Sequence, residues 1–212
     1  MIRVGLVDNG IAPALAGSVA AARAFAGAAL IEDARGHGTT VAGIVLNYAP
    51  GARLLNAQAF GSGARTNAAA VADALRWLIA ERARLVNLSL GLPHDREVLR
   101  AAVADALAAG LILVAATPAR GPPVYPAAYQ GVLRVTGDAR CAPGELSALG
   151  GVPADYGACP RDLDQTPGGA SLAAAHVTGL LARGLKTAGT DPVALLSRAV
   201  RYHGRERRQP RG

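Results

Sequence analysis

Apolar and polar positions divide this chain into short strand-like runs and longer helix-like stretches. Residues 2–7 are a partly β-branched apolar run ending at Asp8, the pattern of a buried strand. From His37 to residue 47 small and apolar residues recur at helical spacing, which predicts a helix starting near His37. Arg53 to Phe60 reads as a second strand. Thr66 and Asn67 precede an alanine-rich amphipathic stretch, 68–83, which predicts a capped helix ending near Arg82. The run 85–91, Leu-Val-Asn-Leu-Ser-Leu-Gly, reads as a strand stopped by Gly91 and Pro93. Asp95 is expected to open a helix to about Ala109, terminated by Gly110. The unbroken apolar run 111–116 suits a strand buried on both faces, and Val132 to Thr136 is a further short strand. Ser171 begins a long alanine-rich helix to about Lys186, and Asp191-Pro192 begins a last one.

Strands alternating with helices predict an α/β fold, a doubly wound parallel sheet with helices on both faces. Sites in such sheets form beyond the carboxyl ends of the strands. Asp8 is expected at one such end, and His37 and Ser171 each at a helix start, so the three can meet at one edge. The 212 residues suit one compact domain, taken as 1–203, followed by a basic tail, 204–212.

Composition narrows the function classes. Half the residues are apolar, with alanine rather than aromatics dominant, which argues against a disordered chain. The formal charge is +7, and much of the excess lies between Arg201 and Arg211. A solvated tail, docking to an acidic protein partner and weak nucleic-acid contact all fit that charge. No aromatic side chains interleave the arginines as stacking platforms, which counts against nucleic acid as a partner. The first residues enter a strand with no signal-peptide pattern, and no apolar run reaches the length of a membrane span. A cytoplasmic location without a membrane partner is therefore expected. Cys141 and Cys159 are expected to be free thiols.

Three segments carry candidate chemistry: Val7-Asp8-Asn9-Gly10, Gly36-His37-Gly38-Thr39 and Gly169-Ala170-Ser171-Leu172. Alone, Asp8 reads equally as a turn residue, His37 as a structural histidine and Ser171 as a helix cap. Together they supply the side chains of hydroxyl-based acyl transfer. The serine attacks, the histidine takes and returns its proton, and the aspartate orients the imidazole. Asp, His, Ser is one of the known chain orders for this geometry.

The flanks resemble those of the subtilisin-like serine proteases (subtilases). Asp8-Asn9-Gly10 is similar to the family's Asp-Ser/Thr-Gly. Gly36-His37-Gly38-Thr39-Thr40-Val41-Ala42-Gly43 is similar to Gly-His-Gly-Thr-His-Val-Ala-Gly. Residues 169–177 resemble Gly-Thr-Ser-Met-Ala-x-Pro-His-Val, and Tyr125-Pro126-Ala127 resembles the family's Tyr-Pro-Ala. The resemblance implies a doubly wound fold and peptide-bond hydrolysis without cofactor or metal. It makes Ser171 the nucleophile, His37 the general base and acid, and Asp8 the orienting carboxylate. Ser89, Leu90 and Gly91 would bind the substrate backbone by adding it as a strand. His176, inside the helix after Ser171, is expected to be structural.

Departures from the pattern shape the expectation. The family places an oxyanion-donating asparagine after the strand equivalent to 111–116, where this chain reads Thr117-Pro118-Ala119-Arg120. The Ser171 N–H remains a donor candidate, with Thr117 or Arg120 as replacements for the missing one. Neither a pro-segment nor an acidic calcium-site cluster is recognisable, and the chain is short for the family. These features imply a small intracellular processing enzyme with one peptide or protein substrate, presented by a maturation enzyme. The resemblance extends to the small subtilases that remove a subunit leader during quinohemoprotein amine dehydrogenase maturation. Two alternatives belong to other classes: an inactive peptide-binding adaptor or chaperone on the same fold, and a nucleic-acid module using the tail.

Overall fold

The computed structural model describes residues 1–27, 30, 36–61, 65–185 and 190–205. Among them nine strands form one sheet. They are β1 (Arg3–Asp8), β2 (Val19–Ala24), β3 (Arg53–Gln58), β4 (Leu85–Leu88), β5 (Ile112–Ala116), β6 (Leu133–Gly137), β7 (Leu146–Gly151), β8 (Ala154–Ala158) and β9 (Val200–His203). The spatial order is β2-β3-β1-β4-β5-β6-β8-β7-β9. All pairings are parallel except β7 with β8, which is antiparallel. The helices are α1 (His37–Tyr48), α2 (Ala68–Ala80), α3 (Glu97–Ala108), α4 (Ala170–Gly184) and α5 (Pro192–Ser197). Two apolar clusters cover the two sheet faces, one built with α1 and α4 and the other with α2 and α3.

Period-2 alternation decides which strand side chain meets which helices. Val4 and Leu6 of β1 join the α1/α4 cluster, whereas Val7 joins the α2/α3 cluster. Asp8, two residues beyond Leu6, therefore faces α1 and α4. The same rule puts Leu85, Asn87 and then Ser89 on the α4 side, with Val86 and Leu88 on the other. On the α2 side Gly5 leaves room for Leu78, because a Cβ at Gly5 would lie 2.7 Å from a Leu78 methyl. α1 and α4 pack on each other, with Gly179 against the Tyr48 ring.

The strand order reverses between β1 and β4. In β1 Val7 pairs with Leu88, so the two chains leave the sheet side by side, at Asp8 and Ser89. Such a switch point opens a crevice beyond the strand ends.

The structure differs from the sequence pattern in several places. Asn67 caps α2 as expected, its side chain accepting from the Ala70 N–H at 2.9 Å. Asp95 does not cap α3. Arg96 holds the cap position, and the Asp95 carboxylate instead pairs with Arg100 and accepts from the Tyr129 hydroxyl. α4 ends at Gly184, before the expected Lys186, which lies with the tail from 206 outside the described residues. No helix among the described residues is long and apolar enough to cross a membrane.

Candidate active site

His37 is the first residue of α1, preceded by Gly36 at φ 71°. Ser171 lies in the first turn of α4, preceded at one remove by Gly169 at φ 75°. Both have a positive φ, which favours glycine, so each glycine turns the chain sharply into its helix. Gly38 has a different task. A Cβ there would sit 2.3 Å from the Gly10 carbonyl oxygen, so only glycine lets the start of α1 approach the loop after β1. That approach brings the His37 ring to Asp8.

The His37 Nδ1 and Asp8 Oδ1 are 2.7 Å apart. The same oxygen accepts from the Asn9 N–H at 2.7 Å. Asp8 is only 1% exposed, while the His37 side chain is 36% exposed. One partner is therefore shut away from solvent and the other is open to it. The buried carboxylate is bonded to the imidazole and to the Asn9 amide, while the His37 side chain reaches the surface. A carboxylate accepts, so Nδ1 carries the proton in this pair.

Ser171 is tied to the neighbouring strand end. Its hydroxyl donates to the Ser89 carbonyl at 3.4 Å, and the Ser89 hydroxyl donates to the Ser171 carbonyl at 3.5 Å. Both bonds are long, so the Ser171 hydroxyl is held loosely and is free to rotate. Behind them the bonds shorten. Asn87 Nδ2 donates to Ser89 Oγ at 2.7 Å, and Thr178 Oγ1 donates to Asn87 Oδ1 at 2.9 Å. This buried relay locks β4 to α4 two turns past Ser171. Sequence reasoning assigned no role to Asn87 or Thr178. The available signal was a polar side chain inside each of two apolar segments, with Thr178 seven residues after Ser171 and so on the same helix face.

His176 is buried and fully bonded. Its Nε2 donates to the Arg161 carbonyl at 2.9 Å, so Nδ1 accepts from the Tyr48 hydroxyl at 2.8 Å. Burial pushes the His176 imidazole below the ordinary histidine range, against the opposing pull of the Arg161 carbonyl. It is therefore a neutral structural group that pins the loop leading into α4. Cys141 and Cys159 are buried free thiols, and burial pushes the Cys141 thiol up to about 12.

Ser171 lines a cavity of about 440 Å³ together with Ser89, Leu90, Gly91, Thr117 and Pro118. The amides of Leu90 and Gly91 meet no backbone carbonyl among the described residues. Thr117 lines this cavity, but its N–H is already spent on the Val135 carbonyl at 2.8 Å, leaving only its hydroxyl as a donor. Pro118 has no N–H. The structure does not bring Arg120 into this cavity; Arg120 lines a second one of about 370 Å³. The first N–H groups of α4, Ser171's among them, have no intrahelical partner and point toward the start of the helix. Among the described residues no group of three or more His, Cys, Asp or Glu side chains could hold a metal ion.

The chain is 29% identical over 207 residues to subtilisin DY of Bacillus licheniformis, covering 85% of this chain and 75% of that protein. It is 33% identical over 151 residues to the minor extracellular protease Epr of Bacillus subtilis (strain 168), covering 64% of this chain but only 23% of Epr. It also spans about half (54%) of the length of subtilisin BL of Lederbergia lenta. The crystal structure of a lanthipeptide protease shares the fold with a TM-score of 0.66, at 16% identity, over 92% of this chain and 78% of the other. The subtilase family model matches residues 2–190, nearly the whole chain, which therefore belongs to the subtilase family.

Proposed function

We propose that this chain is a serine endopeptidase making a limited cut in one peptide or protein substrate. The observation that carries this reading is the 2.7 Å contact between buried Asp8 and half-exposed His37 at the switch-point crevice where α4 presents Ser171. In the reaction His37 Nε2 takes the Ser171 proton as Oγ attacks the substrate carbonyl. Asp8 stabilises the imidazolium, which then protonates the leaving amine. The Ser171 N–H and the Thr117 hydroxyl face the developing oxyanion. The substrate backbone lies along Leu90 and Gly91, whose amides are open to an added strand. One substrate side chain fills the largely apolar cavity beside Ser171, which Phe60, Leu90 and Val124 help to line.

The finer role is removal of a leader peptide during enzyme maturation in the cytoplasm, with a maturation enzyme presenting the substrate. The Thr117-Pro118 pair in place of the family's asparagine supports it, leaving a short hydroxyl where an amide donor stands, and loss of such a donor typically costs about 10²–10³ in turnover. Such an enzyme acts well only where a partner supplies binding energy. The same observation favours a second reading, an inactive peptide-binding adaptor.

Labelling with a fluorophosphonate probe, beside Ser171→Ala, separates the two. Covalent labelling that vanishes in the variant is expected. Folded protein that binds peptide equally with and without Ser171 and is never labelled would establish the adaptor instead.

A further inference from the structure

The cavity lined by Arg120 adjoins the one lined by Ser171. Ala116, Thr117 and Pro118 form a wall of the Ser171 cavity, and the next residues, Ala119 and Arg120, form a wall of the second. The remaining walls come from the end of β6 (Thr136, Gly137, Asp138), from Leu149 and Pro153, and from Arg205 after β9. Arg120 is exposed and meets no carboxylate or carbonyl among the described residues. Among the described residues Arg205 makes one bond, donating Nη2 to the Val152 carbonyl at 2.7 Å. A guanidinium carries five N–H donors, so both side chains keep most of theirs. The acid in the lining, Asp138, is already neutralised. Arg140 donates to it through Nε at 3.0 Å and Nη2 at 2.7 Å. The cavity is therefore a concave, net positive site with unspent guanidinium donors, the group that pairs with carboxylates.

Distance links it to the cut. Thr117 and Arg120 are three residues apart, so their Cα atoms are separated by at most about 11 Å. An extended peptide covers that span in about three residues. Resting on the protease reading above, we propose that the cavity between Arg120 and Arg205 is a substrate subsite for the carboxylate of an Asp or Glu within three residues of the bond that Ser171 attacks. Arg120 then has a specificity role rather than an oxyanion role, and the substrate is an acidic peptide, matching the net positive charge of the chain.

The test uses capped alanine host peptides carrying one leucine for the apolar cavity. A single Glu or Gln is placed at each of three positions on either side of the leucine. Binding to Ser171→Ala by fluorescence anisotropy reads the subsite without needing turnover. At one position Glu should bind about fivefold tighter than Gln, as expected for a partly exposed charge pair. Arg120→Gln and Arg205→Gln should each erase most of that ratio, whereas Arg76→Gln, on the distant α2 surface, should keep it. Equal binding of Glu and Gln peptides everywhere, no binding by either, or a ratio that survives both arginine variants would overturn the subsite. Cleavage by the unmodified chain, measured separately, reports on the protease reading alone.

Discussion

Beneath α2 and α3 the strands present Val7, Leu55, Val86, Leu88 and Leu113, all fully buried and apolar. Beneath α1 and α4 the neighbouring positions of the same strands hold Asp8, Asn56, Asn87 and Ser89, equally buried but polar. Across β1, β3 and β4 the sheet thus carries a hydrophobic face and a face in which polar groups are threaded through the core. Burying a polar group costs free energy unless it is bonded, so the second face is stable only where its partners are in place. The α2/α3 face supplies the stability that lets the other face hold chemistry.

Four measurements can break or sharpen this division. The largest effect belongs to the site: Ser171→Ala should lower turnover by on the order of 10⁶ and Asp8→Asn by about 10⁴, both with the fold intact, in single-turnover peptide cleavage. Next is Leu113→Ala on the hydrophobic face. It should cost about 2–5 kcal/mol in urea unfolding and leave turnover per folded molecule unchanged. Third is Thr178→Val, which removes the donor to Asn87 Oδ1 and should cost about 1–3 kcal/mol. Because Asn87 holds Ser89, which holds Ser171, turnover should also fall by about tenfold to a hundredfold. If Leu113→Ala slows the folded enzyme as much as Thr178→Val does, the two faces are not functionally distinct.

The smallest effect is a pH dependence. The folded-state value of His176 lies below its ordinary 6.5, chiefly through burial. On acidification the unfolded chain therefore takes up this proton first. The contribution of His176 is complete above about pH 6.5 and is lost as pH falls through the folded value. The melting temperature should drop across that window, and His176→Gln should flatten the drop. Identical pH profiles for both proteins would remove His176 from the account.

Much of this could be read from residue order. Asp8 at a strand end, His37 and Ser171 at helix starts and Asn67 as a cap all rest on local signals, a run of apolar residues followed by glycine or a capping side chain. The 3-10 turn Pro13–Ser18, β2 and the β7-β8-β9 edge were not legible. β2 reads Val-Ala-Ala-Ala-Arg-Ala and β8 Ala-Asp-Tyr-Gly-Ala, short segments poor in β-branched residues that become strands because a neighbour offers a ladder. Asp95 looked like a cap, yet Arg100 and the distant Tyr129 claimed its carboxylate. Thr117 and Arg120 looked equivalent as loop residues. Only the fold shows that three residues of chain separate two cavities.

At Gly179 a Cβ would stand 2.5 Å from the Tyr48 ring, which places α1 and α4 as close as two helices can lie at that point. The helix carrying the imidazole and the helix carrying the hydroxyl are thus gauged against each other far from either group. A single methyl added there would act as a wedge, prising the two apart at one end. On the proposed triad, the separation of imidazole and hydroxyl rests partly on a spacer that lies outside the crevice, and an engineer could tune the rate there without touching the site.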